Sequence, residues 1–450
     1  MGILDKTKLP PGPKTQLPLG HLFNFRRDSI AFLKEIGHTY GDIVHFRIGP
    51  LRLVLLNHPD LIKEVLTTHH RNFVKGRPLE MAKELLGEGL LTSEGEFHKR
   101  QSQIIQPAFH RKMIESYSSA MTEYTLRLMK TWESGMQVDM MEEMEKLSTA
   151  IAGKTLFNVD VEHEAPEISE ALNVAKSLFG RVSIPFSEWL LKLPIPSTRQ
   201  FYKAKARLDE TIYRIIEERR RNPLDNGDLL SLLLRAQAEG HNDGAVSNQH
   251  IRDEALTLFL TALDTTSIAL NWTWYLLSQN PEAEAKLHEE IDRELKGRTP
   301  TAEDIPRLKY TRMVFGEAMR LFPPVYIISR QALVDFPIDR YVIPAGTIIL
   351  MSPYLIHHDP RFHPNPEAFN PEAWDQHSNS PSSKYEYFPF SKGPRSCIGE
   401  SYAWMEGVLV LATIAQSWSI QLVPNHPVAL LQLINLRPKD GMKMNLFRRK

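Results

Sequence analysis

Apolar positions along this chain recur mostly with the spacing of a helix, and only in short stretches with that of a strand. A lead-in stiffened by Pro10, Pro11, Pro13 and Pro18 cannot be helical. Residues 29–40 then read as a helix, and two β-rich runs, YGDIVHFRIG and LRLVLLN, as a hairpin joined through Gly49-Pro50. Over residues 73–92 the pattern is irregular. Gly76, Pro78, Gly87 and Gly89 interrupt Leu79, Met81, Leu85, Leu86 and Leu90, which predicts a packed loop. Residues 95–109 read as a helix as far as Pro107, and residues 116–221 as amphipathic segments with solvated charged faces. Ser247 can cap a long helix running to about Asn280, ahead of Pro281. RMVFGEAMRLFPP reads as a helix ended by Pro323 and Pro324, and RYVIPAGTIILM as a hairpin around Pro344-Ala345-Gly346. Residues 401–417 form the last helix, with Met405, Val408, Leu409 and Ala412 on one face.

Composition narrows the function classes. Lys plus Arg equals Asp plus Glu at 54 each, so no bulk attraction to nucleic acid or to an anionic membrane is expected. The start, MGILDKTKLPPGPK, has no apolar run for a signal peptide or membrane helix, and Lys6 breaks the myristoylation pattern. A cytoplasmic chain without a membrane anchor is predicted. No repeat, low-complexity tract or linker divides it, so residues 1–20 read as a lead-in and residues 21–450 as a single domain.

Two places carry chemistry. Cys397 is the sole cysteine, so its thiol is a buried filler, a nucleophile or a metal ligand. It lies in a tight loop shaped by Gly393, Pro394 and Gly399, just before a helix start and two residues after Arg395, a setting that favours a thiolate. One thiolate cannot complete a zinc or iron–sulfur site, but it can supply the single axial bond a haem iron needs. The second place is LTLFLTALDTTSIAL, apolar nearly all round and therefore buried, with Asp264 inside it. A buried carboxylate costs several kcal/mol unless paired or protonated. Beside Thr265 and Thr266 it has the composition of a proton-delivery site; the alternative is an Asp bonded to a distant Arg for structure.

FSKGPRSCIG fits the haem-binding signature F-x-x-G-x-R-x-C-x-G of the cytochrome P-450 family at every fixed position, and the chain is identified by resemblance as a member. The resemblance implies a mainly α fold with small β-sheets, a triangular prism holding haem b between the long central helix and the cysteine-loop helix. Cys397 would be the axial ligand, its thiolate favouring O–O cleavage, with Phe390 packed against the sulfur. Arg395 and Arg330 would pair with haem propionates. His98 would do so where the family usually has Trp, while Ser102 stands where the family has Arg. Asp264 and Thr265 would bring protons to iron-bound dioxygen, with Thr261 and Ala262 replacing smaller residues. Glu317 and Arg320 match the E-x-x-R pair that buttresses the haem loop, with Ala373 at the position of the Arg that usually completes it.

The implied function is a monooxygenase that inserts one atom of O2 into an apolar substrate such as a fatty acid, terpenoid or steroid. The pocket would draw on Leu85, Leu86, Phe179, Thr261, Val325, Tyr326 and Ile434. With no G-x-G-x-x-G unit and no flavin domain in the sequence, a monomer served by a separate ferredoxin- or flavodoxin-type donor is expected. Lys99, Arg100 and Lys392 could steer that donor. A peroxide-driven peroxygenase or isomerase, and more remotely a haem-based sensor, are the other readings. His357, His358 and His363 fit a loop after a strand better than a metal site.

Overall fold

The computed structural model describes residues 9–15, 19–162, 168, 170–171, 174, 193, 195–223, 227–239, 246–376 and 383–449. Helices of ten residues or more are α1 (Ser29–Tyr40), α2 (Arg77–Leu86), α3 (Gly95–Ile105), α4 (Arg111–Met129), α5 (Met140–Phe157), α6 (Pro196–Arg221), α7 (Leu229–Ala238), α8 (Asn248–Gln279), α9 (Pro281–Leu295), α10 (Lys309–Leu321) and α11 (Glu400–Ala415).

The long helix α8 is the axis of the fold. Ser247 caps it as its sequence predicts: the hydroxyl accepts from the His250 N–H at 3.1 Å, and the His250 ring accepts from the Ser247 N–H at 3.3 Å. Being apolar nearly all round, α8 is covered on all sides, packing against α5, α6, α10 and α11. The cysteine-bearing end of the chain enters this core through α11, which lies on α4, α8 and α10. Gly407 permits the α10–α11 approach, because an added Cβ would lie 2.2 Å from the Phe315 ring.

The strands β1 (Ile43–Ile48) and β2 (Leu51–Leu56) form the expected hairpin, with Gly49 at φ +55° in its turn. They extend into a five-stranded sheet, ordered β1-β2-β8-β5-β3, with β3 (Phe73–Lys75), β5 (Ile328–Ala332) and β8 (Ile348–Met351). Only the β2–β8 pairing is parallel. The expected hairpin around Pro344 is not formed. β7 (Tyr341–Ile343) turns back through Asp339-Arg340 onto β6 (Phe336–Ile338), while β8 joins the large sheet. Near the C-terminus, β9 (Trp418–Leu422) and β12 (Lys443–Arg448) pair beside β4 (Gln137–Asp139), and β10 (Leu430–Gln432) pairs with β11 (Leu436–Pro438).

Residues 73–92 also depart from expectation, since they hold β3 and the helix α2. The residues that look like interruptions are its ends. Pro78 sits in the first turn, where its missing N–H costs nothing; Gly76 is the N-cap, and Gly87, at φ +61°, the C-cap.

One buried acid makes stability depend on pH. Glu406 of α11 is 1% exposed and accepts from Ser148 Oγ of α5 at 2.7 Å, and burial pushes its carboxyl up to about 8 from 4.5. Between those values the folded chain holds a proton that the unfolded chain releases, so this group's contribution is lost as pH rises through the window. Glu406→Gln is therefore expected to gain unfolding free energy relative to the parent from pH 4.5 to 8, with a flat difference outside it. Urea unfolding at several pH values reads this, and a constant difference would mean a carboxylate that stays ionised.

Candidate active site

Cys397 follows a short 3₁₀ turn, Gly393–Arg395, and precedes α11. Its N–H donates to the Phe390 carbonyl at 2.9 Å, closing the loop, and Ser391 and Gly393 take positive φ of 60° and 77° to turn it. At Gly393 a Cβ would lie 2.0 Å from the Leu66 carbonyl oxygen, so only glycine fits. Phe390 packs on the main core beside Trp404.

The sulfur accepts from the Gly399 N–H, yet burial outweighs that donor and pushes the thiol up to about 11. The helix start alone does not offset that burial, and the expected thiolate is that of a sulfur held by a metal ion. The Arg395 guanidinium instead turns to the Ser93 carbonyl at 2.9 Å and to Glu94. Such a thiol ionises when a metal ion takes it, since coordination deprotonates a thiol outright. Cys397 keeps accessible surface as a residue, although its thiol lies deep.

Cations gather beside this loop. Arg330, on β5 and 8% exposed, pairs in register with Lys75 on β3, and Lys75 is 6% exposed. The Lys75 ammonium donates to the carbonyls of Leu90, at 3.1 Å, and Leu91. Burial, and then the charge of Arg395, lower Lys75 to about 7 and Arg330 to about 10. His98 on α3 is lowered to about 3 by burial, Arg395 and Lys75, and so is neutral. Arg330, Arg395 and Lys75, the last only partly charged near neutral pH, thus lie about Glu94, and the Ser93 hydroxyl is buried without a partner. That excess of buried positive charge fits a dicarboxylate such as haem, whose propionates would relieve the mutual repulsion. With the deeply set Cys397 thiol, the donor set fits the group.

In α8 the helix is buried through its middle except at Thr261, Ala262 and Thr265, which share one face and stay half-buried. Thr265 Oγ1 donates to the Thr261 carbonyl at 2.9 Å, and Thr261 Oγ1 to the Thr257 carbonyl at 2.8 Å. Asp264, 5% exposed, lies off that face. Its carboxylate is met by Arg437 at 3.3 Å and by the Asn435 amide, and Arg437 also meets Glu145 of α5. Asp264 is therefore paired rather than isolated, so the geometry carries the distant-Arg arrangement as well as the proximity to Thr265.

The E-x-x-R pair is formed and buried. Arg320 meets Glu317 at 2.8 Å and 2.9 Å, with exposures of 5% and 2%. Trp374, next to Ala373, closes the network where the family has Arg: its indole N–H donates to Glu317 at 3.0 Å, as does the Asn370 N–H. Arg320 also donates to the carbonyls of His357, Pro366 and Ala368. Neutral His357 relays this to the cysteine loop, its Nδ1–H donating to Arg320 O at 3.2 Å and its Nε2 accepting from the Phe388 N–H at 3.1 Å. His358 and His363 bond to the carbonyls of Tyr354 and Glu386. Among the described residues no group of three His, Cys, Asp or Glu could hold a metal ion.

The pocket candidates lie on several elements. Leu85 and Leu86 are buried in α2, and Val325 is half-buried. Tyr326 is 4% exposed, its hydroxyl donating to Leu433 O at 3.2 Å. Ile434 is exposed at the β10–β11 tip, and Phe179 lies outside the described residues. Lys75, Glu94, Trp374, Asn435 and Arg437 escape the sequence reading. Trp374 alone had a local signal, its place beside the missing Arg.

No described helix is long and apolar enough to cross a membrane. The chain resembles cyclooctatin synthase of Streptomyces melanosporofaciens, 37% identical over 95% of this chain and 92% of that one. It is also 37% identical to cyclooctat-9-en-7-ol 5-monooxygenase of the same organism, over 90% and 88% of the two chains. Pentalenene oxygenase of Streptomyces avermitilis is 31% identical over 93% of both. A solved structure, retinoic acid bound cyanobacterial CYP120A1, superposes with a TM-score of 0.86 at 25% identity, covering 98% of this chain and 99% of that one. Residues 10–442 match the family profile described as Cytochrome P450, and the chain belongs to that family.

Proposed function

We propose that this cytochrome P450 monooxygenase holds haem b through Cys397 and oxygenates a cyclic terpenoid, drawing electrons from a separate ferredoxin- or flavodoxin-type protein. The observation that carries the reading is the loop of the sole cysteine, whose N–H donates to Phe390 O and whose deeply set sulfur accepts from the Gly399 N–H, beside buried Lys75 and Arg330 and the Arg395 guanidinium. Haem, when bound, supplies the activation of O2.

The chain's own residues do the rest. Arg395, Arg330 and Lys75 would receive the propionates, with neutral His98 as a further donor. Thr261, Ala262 and Thr265 share the half-buried face of α8, where Thr265 would hand on protons received from Asp264. The printed names of the three similar oxygenases support a terpenoid substrate, two of them naming cyclooctat-9-en-7-ol and pentalenene.

Titrating the ferric protein with pentalenene, cyclooctat-9-en-7-ol and a panel of fatty acids tests this. Displacement of the sixth-site water by a terpenoid, seen as a Soret shift, is expected. A shift with fatty acids alone would contradict the substrate class.

A further inference from the structure

The C-terminal hairpin reaches the acid of α8. Its strands pair Leu431 with Arg437 and Gln432 with Leu436, and its turn exposes Leu433 and Ile434. Strand alternation puts Asn435 and Arg437 on one side and buried Leu436 on the other. The turn is fastened at both flanks. Leu433 O accepts from the Tyr326 hydroxyl at 3.2 Å, while Leu436 donates to Pro324 O at 2.8 Å and accepts from the Trp272 indole at 2.9 Å. Between those fastenings the Asn435 amide and the Arg437 guanidinium meet the two oxygens of Asp264.

A carboxylate in the apolar middle of a helix goes where its donors are, since losing them costs several kcal/mol. Here both donors belong to a segment more than 170 residues away that also bears the apolar tip. Arg437 is shared with Glu145, so two buried carboxylates divide one guanidinium, and the uncharged Asn435 fixes the remaining oxygen of Asp264. We infer that Asn435 and Arg437 are positioning residues for Asp264, aligning its carboxylate for proton delivery from the hairpin. This rests on the reading of Asp264 as the proton-carrying acid.

The test uses haem-loaded protein with a ferredoxin and its reductase, cyclooctat-9-en-7-ol as probe, and oxygen consumption in H2O and D2O as the readout, which proceeds whether or not product forms. Asn435→Ala and Arg437→Met are each expected to slow consumption by up to about 10²-fold and to change the solvent isotope effect, as a misplaced reacting group does. Arg437→Lys should recover part of the rate. In an Asp264→Asn background, removing Asn435 should have no further effect.

Parent-like rates and isotope effects in both hairpin variants, beside a slow Asp264→Asn, overturn the inference and leave the reading of Asp264 standing. A parent-like Asp264→Asn overturns both. Urea unfolding of the same set covers variants that fold poorly. Coupling between residues 264 and 437 in stability, without any change in isotope effect in Asn435→Ala, would mean a purely structural clamp and would also overturn the inference.

Discussion

Glu317→Ala is expected to cost about 3–5 kcal/mol of unfolding free energy, because it strands the Arg320 charge in a buried site. Glu317 and Arg320 are 2% and 5% exposed, and Glu317 also accepts from the Trp374 indole and the Asn370 N–H. The loss should spread to the cysteine loop, since Arg320 O holds His357 and His357 holds the Phe388 N–H. Haem content after purification should therefore fall together with the urea midpoint. Trp374→Phe, which removes one donor and keeps most of the packing, should cost about 1–3 kcal/mol. If Glu317→Ala unfolds with the parent and retains its haem, the buttress has no such role.

Asp264→Asn is expected to lower kcat by about 10²-fold while leaving haem content unchanged, the magnitude typical of a lost proton-transfer group. Thr265→Ala should separate reductant consumption from product formation, because Thr265 is on the half-buried face of α8 and Asp264 is not. Steady-state turnover with product quantified by chromatography distinguishes the two. An Asp264→Asn variant as fast as the parent would remove the acid from the pathway.

Which features were legible follows from how local their causes are. The ends of α1 and the cap of α8 lie in a few neighbouring residues, and there the reading of residues 29–40 and of Ser247 agrees with the structure. The motif of the cysteine loop was legible for the same reason, since it lies within ten residues, whereas its contacts with Leu66, Ser93 and Glu94 were not. Residues 73–92 misled because Pro78 and Gly87 are ambiguous between breaking a helix and ending one. β8 was misassigned because its partners, Leu53–Leu56 and Ile328–Gln331, are not adjacent to it in sequence. The partners of Asp264 are carried on β11 and its turn, far along the chain, and the cation cluster joins β3, β5, α3 and the cysteine loop.

The central claim is that Cys397 supplies the sulfur bound to the haem iron. Adding carbon monoxide to the reduced protein tests it directly. A Soret band at the long-wavelength position that marks a thiolate opposite the gas, lost in Cys397→His, is the predicted result. A band at the shorter wavelength of a nitrogen-ligated haem in the freshly purified parent would contradict it.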